Sequence, residues 1–573
     1  MRSFKPTVGL INVVLDGDYQ YEQEIPLGMG YIGSFLRKQG YNVHIHQCLA
    51  SRGEEQLDSA AGIVADVYGI QLNMVNYIKT LELAKKIKSS RPDSIIVLGG
   101  PFLVAFSEMI LKTEPIFDYV IIGEGEYTFL ELLKTIESGT GDVSSVQGLV
   151  WRDSQGDVHK NSLRKLIENL DELPFPARDL LEEARHDPVD GGLLESVRMV
   201  SSRGCIGQCS FCCVNLYNKI QKGKTWRGRS PENVVDEIEY LYKNYSAKMY
   251  NFADSSFEDP GEIGKERAKK ICEEIIRRDI PFSAKVYMRC ETMKSHEDIE
   301  LLKLYKKAGI DVVIIGAEAG SDYELRLYEK HASLDDNYRT AQILNELDMF
   351  YVLVGFIMFG PNSNPDTLME NIEFLYKLGF ADNLMSVSNI LMLVRDTKLY
   401  HLLNSEGRVI ESKNVWELPK YTFIDSRAEK AAKYWENIYQ KHPVTFETNK
   451  LQVNIGNVIS RMTNRMNSHI LDRFHNEFIT FKKRYKDLSA ELGNLHYNHF
   501  KKILEIVVSN HPDEMLEKVE AEFFEKEYPK YMNYYDETYS TFMDGIQDAG
   551  FGMSGLAFRH FSNAVYLSDR KRI

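Results

Sequence analysis

Twice along this chain, short apolar strand-like runs alternate with amphipathic helical stretches, and that alternation leaves few folds open. In the first series residues 8–15, 42–46, 66–72, 94–99 and 119–123 read as strands, and 28–39, 77–89, 105–112 and 126–137 as helices. Strands joined through helices of this length lie parallel, with helices covering both faces of the sheet. The second series places strands at 197–202, 248–253, 282–288, 311–317, 351–358 and 385–392. Helices at 231–245, capped by Ser230, and at 264–279, 296–308, 336–347 and 365–378 lie between them. Six such strands predict an open, partial βα barrel with its chemistry at the carboxyl ends.

Pro174-Phe-Pro176 breaks regular structure in the link between the two series. Beyond about residue 425, apolar residues recur at three- and four-residue spacing over 428–440, 454–466, 474–488 and 495–508, which predicts a helical domain capping the barrel. The predicted fold class is α/β: a doubly wound parallel-sheet domain (1–145), a connector (146–192), a partial (βα)6 barrel (193–424) and a mostly helical domain (425–573). No motif stands out in the last, where His469, His475, Tyr497 and His499 read as packing or surface residues and where the identity of the substrate is expected to be written.

A formal charge of −14 argues against a nucleic-acid binder, since phosphate neutralisation needs a basic surface. The apolar run 8–15 is too short to span a bilayer and runs into Asp16; no other run is long enough, so a cytoplasmic protein without a membrane span is expected. Seven cysteines, sparse and odd in number, do not make a disulfide framework and fit a reducing compartment.

Three of those cysteines are grouped as Cys205-Ile-Gly-Gln-Cys209-Ser-Phe-Cys212. Three thiolates hold a four-iron cubane by three corners and leave one iron open to a substrate or cofactor, whereas four would close it into an electron carrier. A structural zinc site wants four ligands, and the only nearby addition, Cys213, adjoins Cys212 too closely for good geometry. Cys48, Cys272 and Cys290 read as packing residues.

This spacing, with the aromatic Phe211 before the last cysteine, resembles the radical S-adenosylmethionine (SAM) superfamily. The resemblance implies a [4Fe–4S] cluster on Cys205, Cys209 and Cys212 whose open iron chelates SAM. It also implies SAM contacts from Phe211, from Asp254 and Ser255 after the second strand, from Arg289 to the methionyl carboxylate, from Glu318 to the ribose and from Gly360 near the adenine. After Gly360-Pro361 the chain reads Asn362-Ser-Asn-Pro, where the family often has Gly-Glu-Thr.

Gly28-Met-Gly30-Tyr-Ile-Gly33 matches a dinucleotide fingerprint in letters, but about a dozen residues separate it from its strand, so its glycines read as helix-packing positions. The stretch from Pro26 to Tyr41, Gly99-Gly100-Pro101 and Gly123-Glu124-Gly125-Glu126 instead resemble the cobalamin-binding domain fused to many radical SAM enzymes. By that resemblance cobalamin lies over Asp16, over Leu72, Asn73 and Met74, over Gly99, Gly100, Pro101 and Phe102, and over Gly123, Glu124, Gly125 and Glu126. Many relatives have histidine where Phe102 stands, and no Asp-x-His-x-x-Gly motif occurs here, so cobalt is expected to have no protein histidine beneath it; residues 72–76 are the candidates for its lower face.

The pairing resembles cobalamin-dependent radical SAM enzymes. It implies methylation of an unactivated carbon or phosphorus through a 5′-deoxyadenosyl radical and methylcobalamin, on a small-molecule or peptide substrate, with a low-potential electron donor such as flavodoxin or ferredoxin. Ring formation or rearrangement is the alternative within the same cofactor class, and a non-catalytic cobalamin or cluster sensor the alternative outside it. Methylthio transfer would call for a second cysteine triplet, which the sequence lacks.

Overall fold

The computed structural model describes residues 5–15, 26–139, 142–181, 196–412, 414 and 417–548. Strands β1 (Val8–Val14), β2 (Val43–Leu49), β3 (Val67–Gln71), β4 (Ile95–Gly99) and β5 (Tyr119–Ile121) pair in parallel in the order β2-β1-β3-β4-β5. Every residue of β1 is buried, as expected of a strand covered on both faces. The connector contributes more than a link: β6 (Leu149–Arg152) and β7 (Val158–Lys160) add an antiparallel hairpin to this sheet, carrying the first fold past residue 145. The strand order reverses at β1, so the crevice for a ligand lies beyond the carboxyl ends of β1 and β3.

The glycines of the decoy fingerprint serve packing. The Gly30 carbonyl accepts from Ala177 N at 2.9 Å, and a Cβ at Gly30 would stand 3.1 Å from Pro176, so the helix Leu27–Lys38 seats directly on the connector.

The second sheet is wholly parallel, in the order β14-β13-β12-β11-β8: β8 (Val197–Met199), β11 (Met249–Phe252), β12 (Ser283–Arg289), β13 (Ile310–Glu318) and β14 (Tyr351–Phe356). Between β8 and β11 a small antiparallel ladder joins β9 (Ser202–Arg203) to β10 (Arg227–Gly228). The helix Pro231–Tyr245 starts as predicted, with Ser230 Oγ accepting from Asn233 N at 3.2 Å. The sixth predicted strand is corrected: Leu384–Ser388 is helical, and only a parallel bridge between Phe359 and Ile390 remains. Asn383 explains the change, because its side chain caps this turn by accepting from Met385 N.

The carboxyl-terminal helices do not cap the barrel mouth; they close its floor. Asn464 Nδ2 donates to Phe282 O, just before β12, at 3.1 Å, and Gln452 Nε2 to Asp382 at 2.5 Å. Arg465 donates to Ile280 O at 2.6 Å, Gly456 lies against Tyr351 at the start of β14, and His496 Nδ1 bonds Ala381 O at 2.7 Å. Phe282, Ile280 and Tyr351 sit at or before the amino ends of β12 and β14, and Ala381 and Asp382 precede the helix Leu384–Ser388. The runs 474–488 and 495–508 form one long helix, His475–Val508, whose His499 is buried against Phe523 with Tyr434 OH 2.7 Å from Nε2. Among the described residues no helix is long and apolar enough to cross a membrane.

Candidate active site

The cysteine loop leaves β8 and is tied down before it reaches Cys205. Asp254, at the carboxyl end of β11, accepts from Ser201 N (2.8 Å), Ser201 Oγ (2.6 Å) and Ser202 N (2.9 Å). Its carboxylate is buried and bonds the chain that enters the cysteine loop, and neighbouring Ser255 is exposed at the same strand end.

Within the loop, a Cβ at Gly207 would stand 3.3 Å from Cys205 Sγ and 3.9 Å from Cys209 Sγ, so both sulfurs face the small space over that glycine. Cys212 N donates to Cys209 O at 3.2 Å, which folds the third cysteine back toward the second. Burial holds the Cys209 thiol above its ordinary value; Lys330 pulls it down, and Glu318 and Cys212 add to the rise. Among the described residues no group of His, Cys, Asp or Glu closes tightly enough to hold a single metal ion. Cys205 and Cys209 turn their sulfurs to one space and Cys212 acts on the Cys209 thiol, a set of soft ligands of the kind that holds a multi-iron cluster.

Asp259 flanks this loop, accepting from Ile206 N at 3.3 Å and facing Arg289 Nη1 at 3.5 Å. Arg289 closes β12 and lays its fork on Glu291, with Nε 2.8 Å from Oε1, while its Nη1 also borders Gly207. Glu318 ends β13 at a register shift with a φ of +66°, and its carboxylate accepts from the buried Lys330 Nζ at 3.1 Å. Neither Glu291 nor Lys330 was singled out from sequence, because both follow their strands in otherwise ordinary helical or turn segments.

Gly360 has no room for a side chain: a Cβ there would fall 2.0 Å from Tyr328 OH. Tyr328 O accepts from Ser210 N at 2.8 Å, and its ring meets Phe211 edge-on at 5.5 Å, so Phe211 is packed into the loop that carries the cysteines. The departing Asn362-Ser-Asn segment has its own anchor. Ser363 Oγ accepts from Gly360 N at 2.9 Å and donates to buried Glu324 at 2.5 Å, while Asn371 Nδ2 donates to the other Glu324 oxygen at 2.7 Å.

In the first domain, Asp16 lies outside the described residues. Gly99 ends β4 with nothing within 4 Å of where its Cβ would stand, and Gly100, at φ +131°, crosses within 2.7 Å of Leu72 O by the same measure. This open backbone fits a flat ligand. The Leu72 side chain is fully buried in the sheet's core, which leaves its backbone to border a ligand there. Asn73 and Asn76 bond each other's backbone N–H at 2.8 Å, closing a turn that presents Met74 and Val75, the latter 71% exposed. Pro101 follows at the foot of the helix Leu103–Thr113, where Phe102 stacks on Phe106 at 4.3 Å.

Gly123 and Gly125 serve packing, against Gln221 and Ile32 respectively. The Glu124 and Glu126 side chains face the barrel domain. Arg203 donates to Glu124 at 3.0 Å and to Glu126 at 2.8 Å, and Arg227 donates to both Glu124 oxygens at 2.9 Å. The strand ends of one domain are thus clamped to the residues leading into the cysteine loop of the other.

Two family models match this chain: the B12 binding domain over residues 19–133 and the Radical SAM superfamily over residues 199–375. The chain is a radical SAM enzyme with a fused B12 binding domain. The cofactors belonging to this pairing are cobalamin, SAM and a [4Fe–4S] cluster, and the sensor alternative falls away. An uncharacterized methyltransferase of Pyrococcus horikoshii is 28% identical over 359 residues, covering 62% of this chain and 73% of that protein. The anaerobic magnesium-protoporphyrin IX monomethyl ester cyclase of Rubrivivax gelatinosus is also 28% identical over 359 residues; the match spans 61% of each chain, less than two thirds of the cyclase. The fold of this radical SAM enzyme is similar to that of the cobalamin-dependent radical enzyme OxsB, with a TM-score of 0.67 at 19% identity, covering 95% of this chain and 80% of OxsB.

Proposed function

We propose that this protein is a cobalamin-dependent radical SAM methyltransferase acting on an unactivated carbon or a phosphorus centre. The observation that carries this reading is the clamp of Arg203 and Arg227 on Glu124 and Glu126, because a methyl source in one domain and a radical source in the other must address the same substrate atom. When bound, the cobalamin supplies a transferable methyl group, and the cluster with SAM supplies the reducing electron and the radical.

The chain's own residues orient these partners. Cys205, Cys209 and Cys212 hold the cluster. Arg289, kept in place by Glu291 and Asp259, faces the methionyl carboxylate, and Glu318, held by Lys330, addresses the ribose hydroxyls. Phe211, Ser255 and Gly360 are assigned to the same cofactor. Gly99 to Phe102 and the turn bearing Asn73 and Met74 form the cobalamin bed. Cysteines sparse and odd in number support a reducing cytoplasm as the place of work, and the cluster calls for a low-potential protein as electron donor.

The Pyrococcus relative named a methyltransferase supports methyl transfer; the equally similar relative named a cyclase supports ring formation as the second reading. Anaerobic reconstitution with iron, sulfide, cobalamin, SAM and a low-potential reductant separates them by mass spectrometry. Formation of both 5′-deoxyadenosine and S-adenosylhomocysteine supports the methyltransferase, and 5′-deoxyadenosine alone supports ring formation. Cys209→Ala should lose 5′-deoxyadenosine formation while still binding cobalamin; retained cleavage would sink the cluster assignment.

A further inference from the structure

After its last bridge to the barrel sheet, at Ile390, the chain meets both cofactor regions between Arg395 and Leu399. At one end the Arg395 guanidinium lies over the Phe106 ring, 5.3 Å from its centroid, and Phe106 belongs to the B12 binding domain. Phe106 is buried and stacks on Phe102, the residue that follows Gly99-Gly100-Pro101. At the other end Leu399 N donates to Ser210 O at 2.9 Å, between Cys209 and Cys212. Leu399 is fully buried in a cluster with Tyr328, and Phe211 packs against the same cluster.

The piece between these contacts is stiff. Thr397 Oγ1 donates to Val394 O at 2.7 Å and accepts from Tyr400 N at 3.2 Å, so one side chain closes the turn and caps the helix Lys398–Ser405. Asp396 holds a φ of +63° inside that turn, a backbone that a non-glycine residue keeps where its surroundings fix it. The guanidinium is fixed as well. Its Nη1 reaches Glu411 at 2.5 Å and Tyr400 OH at 3.4 Å, and the Tyr400 hydroxyl donates to the other Glu411 oxygen at 2.5 Å. A planar cation held on its own domain by these bonds arrives over Phe106 already oriented.

We propose that Arg395 is a positioning residue: through Phe106 on one side and the turn to Leu399 on the other, it sets the cobalamin bed against the cysteine loop. The Arg203–Glu126 clamp reaches that loop at its start, two residues before Cys205, and Leu399 holds it at Ser210. Two separated anchors fix an orientation that one leaves free to turn. The benefit is catalytic, since a misplacement of about 1 Å between reacting groups can cost roughly a hundredfold in rate. The inference deepens the function proposed above, because it takes Gly99 to Phe102 as the cobalamin bed, and it holds for methyl transfer and ring formation alike.

The test uses the full-length protein reconstituted with cobalamin and the cluster, without SAM or substrate, and reads hydrogen–deuterium exchange. Phe106→Leu keeps the apolar packing and removes the ring face. It should speed exchange roughly fivefold at residues 99–106 and also, in the other domain, at the Leu399 amide and residues 209–212. Arg395→Met should do the same from the barrel side, and Arg395→Lys, which keeps a cation over the ring, should recover most of the protection. In the same samples, after reduction of the cluster, its magnetic interaction with paramagnetic cobalt should weaken or spread in Phe106→Leu and Arg395→Met, at unchanged iron and cobalamin content. Wild-type exchange in both variants, faster exchange confined to the domain that carries the substitution, or an unchanged magnetic interaction overturns the proposal. Should Arg395→Met not fold, Phe106→Leu gives the same comparison. These readings need no product, so they can fail while 5′-deoxyadenosine and S-adenosylhomocysteine still form, and the reverse.

Discussion

Arg203 Nη2 donates to Glu126 Oε1 at 2.8 Å across the boundary between the two domains, two residues before Cys205. Glu126 is buried and Arg203 nearly so, with the aromatic face of Tyr31 4.8 Å from the guanidinium. Removing the guanidinium leaves a buried carboxylate without its partner. Arg203→Met is therefore expected to cost roughly 3 kcal/mol of stability and to depress 5′-deoxyadenosine yield more than cobalamin binding. Urea unfolding with product analysis checks this, and wild-type values on both counts would remove the clamp from the argument.

Asp254 offers two oxygens to three donors on Ser201 and Ser202. Asparagine keeps one acceptor and turns the other into a donor facing a donor. Asp254→Asn should lower iron bound per chain after reconstitution while leaving far-ultraviolet circular dichroism intact, at a stability cost of about 2 kcal/mol. Full iron occupancy would count against a positioning role.

The contact between Gly360 and Tyr328 gives a paired test. Gly360→Ala forces a methyl group into the phenol oxygen and should destabilise by about 3 kcal/mol. Tyr328 OH is buried and lacks a partner among the described residues, so Tyr328→Phe alone should be close to neutral. In the double variant the clash is relieved, and the measured loss should fall below that of Gly360→Ala alone. Strict additivity in denaturant titrations would contradict the geometry.

Burial raises the Glu324 carboxyl from 4.5 to about 7, against the pull of Ser363 and Asn371. The folded state therefore favours the protonated form. That contribution is fully present below the unfolded value, near pH 4.5, and is lost as pH rises through about 7. The change amounts to roughly 3 kcal/mol. Glu324→Gln should flatten the stability profile between pH 5 and 8 and be the more stable protein at pH 8; a parallel profile would show that Glu324 is not the titrating group.

Much of the scaffold was legible in the sequence because its signals are local. Apolar runs and helical periodicity place β1 to β5 and the five main barrel strands within a few residues of where they fold. Residues 385–392 were misread because an apolar run carries no mark separating a strand from a capped helical turn, and here Asn383 decides it. Orienting the carboxyl-terminal helices needs long-range contacts such as Asn464 to Phe282, 182 residues apart, and no local pattern encodes these.

The sequence by itself determined the chemistry available: three thiols at a spacing that leaves a cluster corner open, glycines at strand ends, and an acidic chain without a disulfide framework. Tertiary structure alone decided how each polar side chain is spent. Asp254 and the Glu124–Glu126 pair look like ligand contacts in a motif and fold onto Ser201, Ser202 and Arg203, whereas Lys330 meets Glu318 through the fold that brings it back to the end of β13. A residue's type fixes what bonds it can make, but burial and the partners brought to it fix which bond it does make.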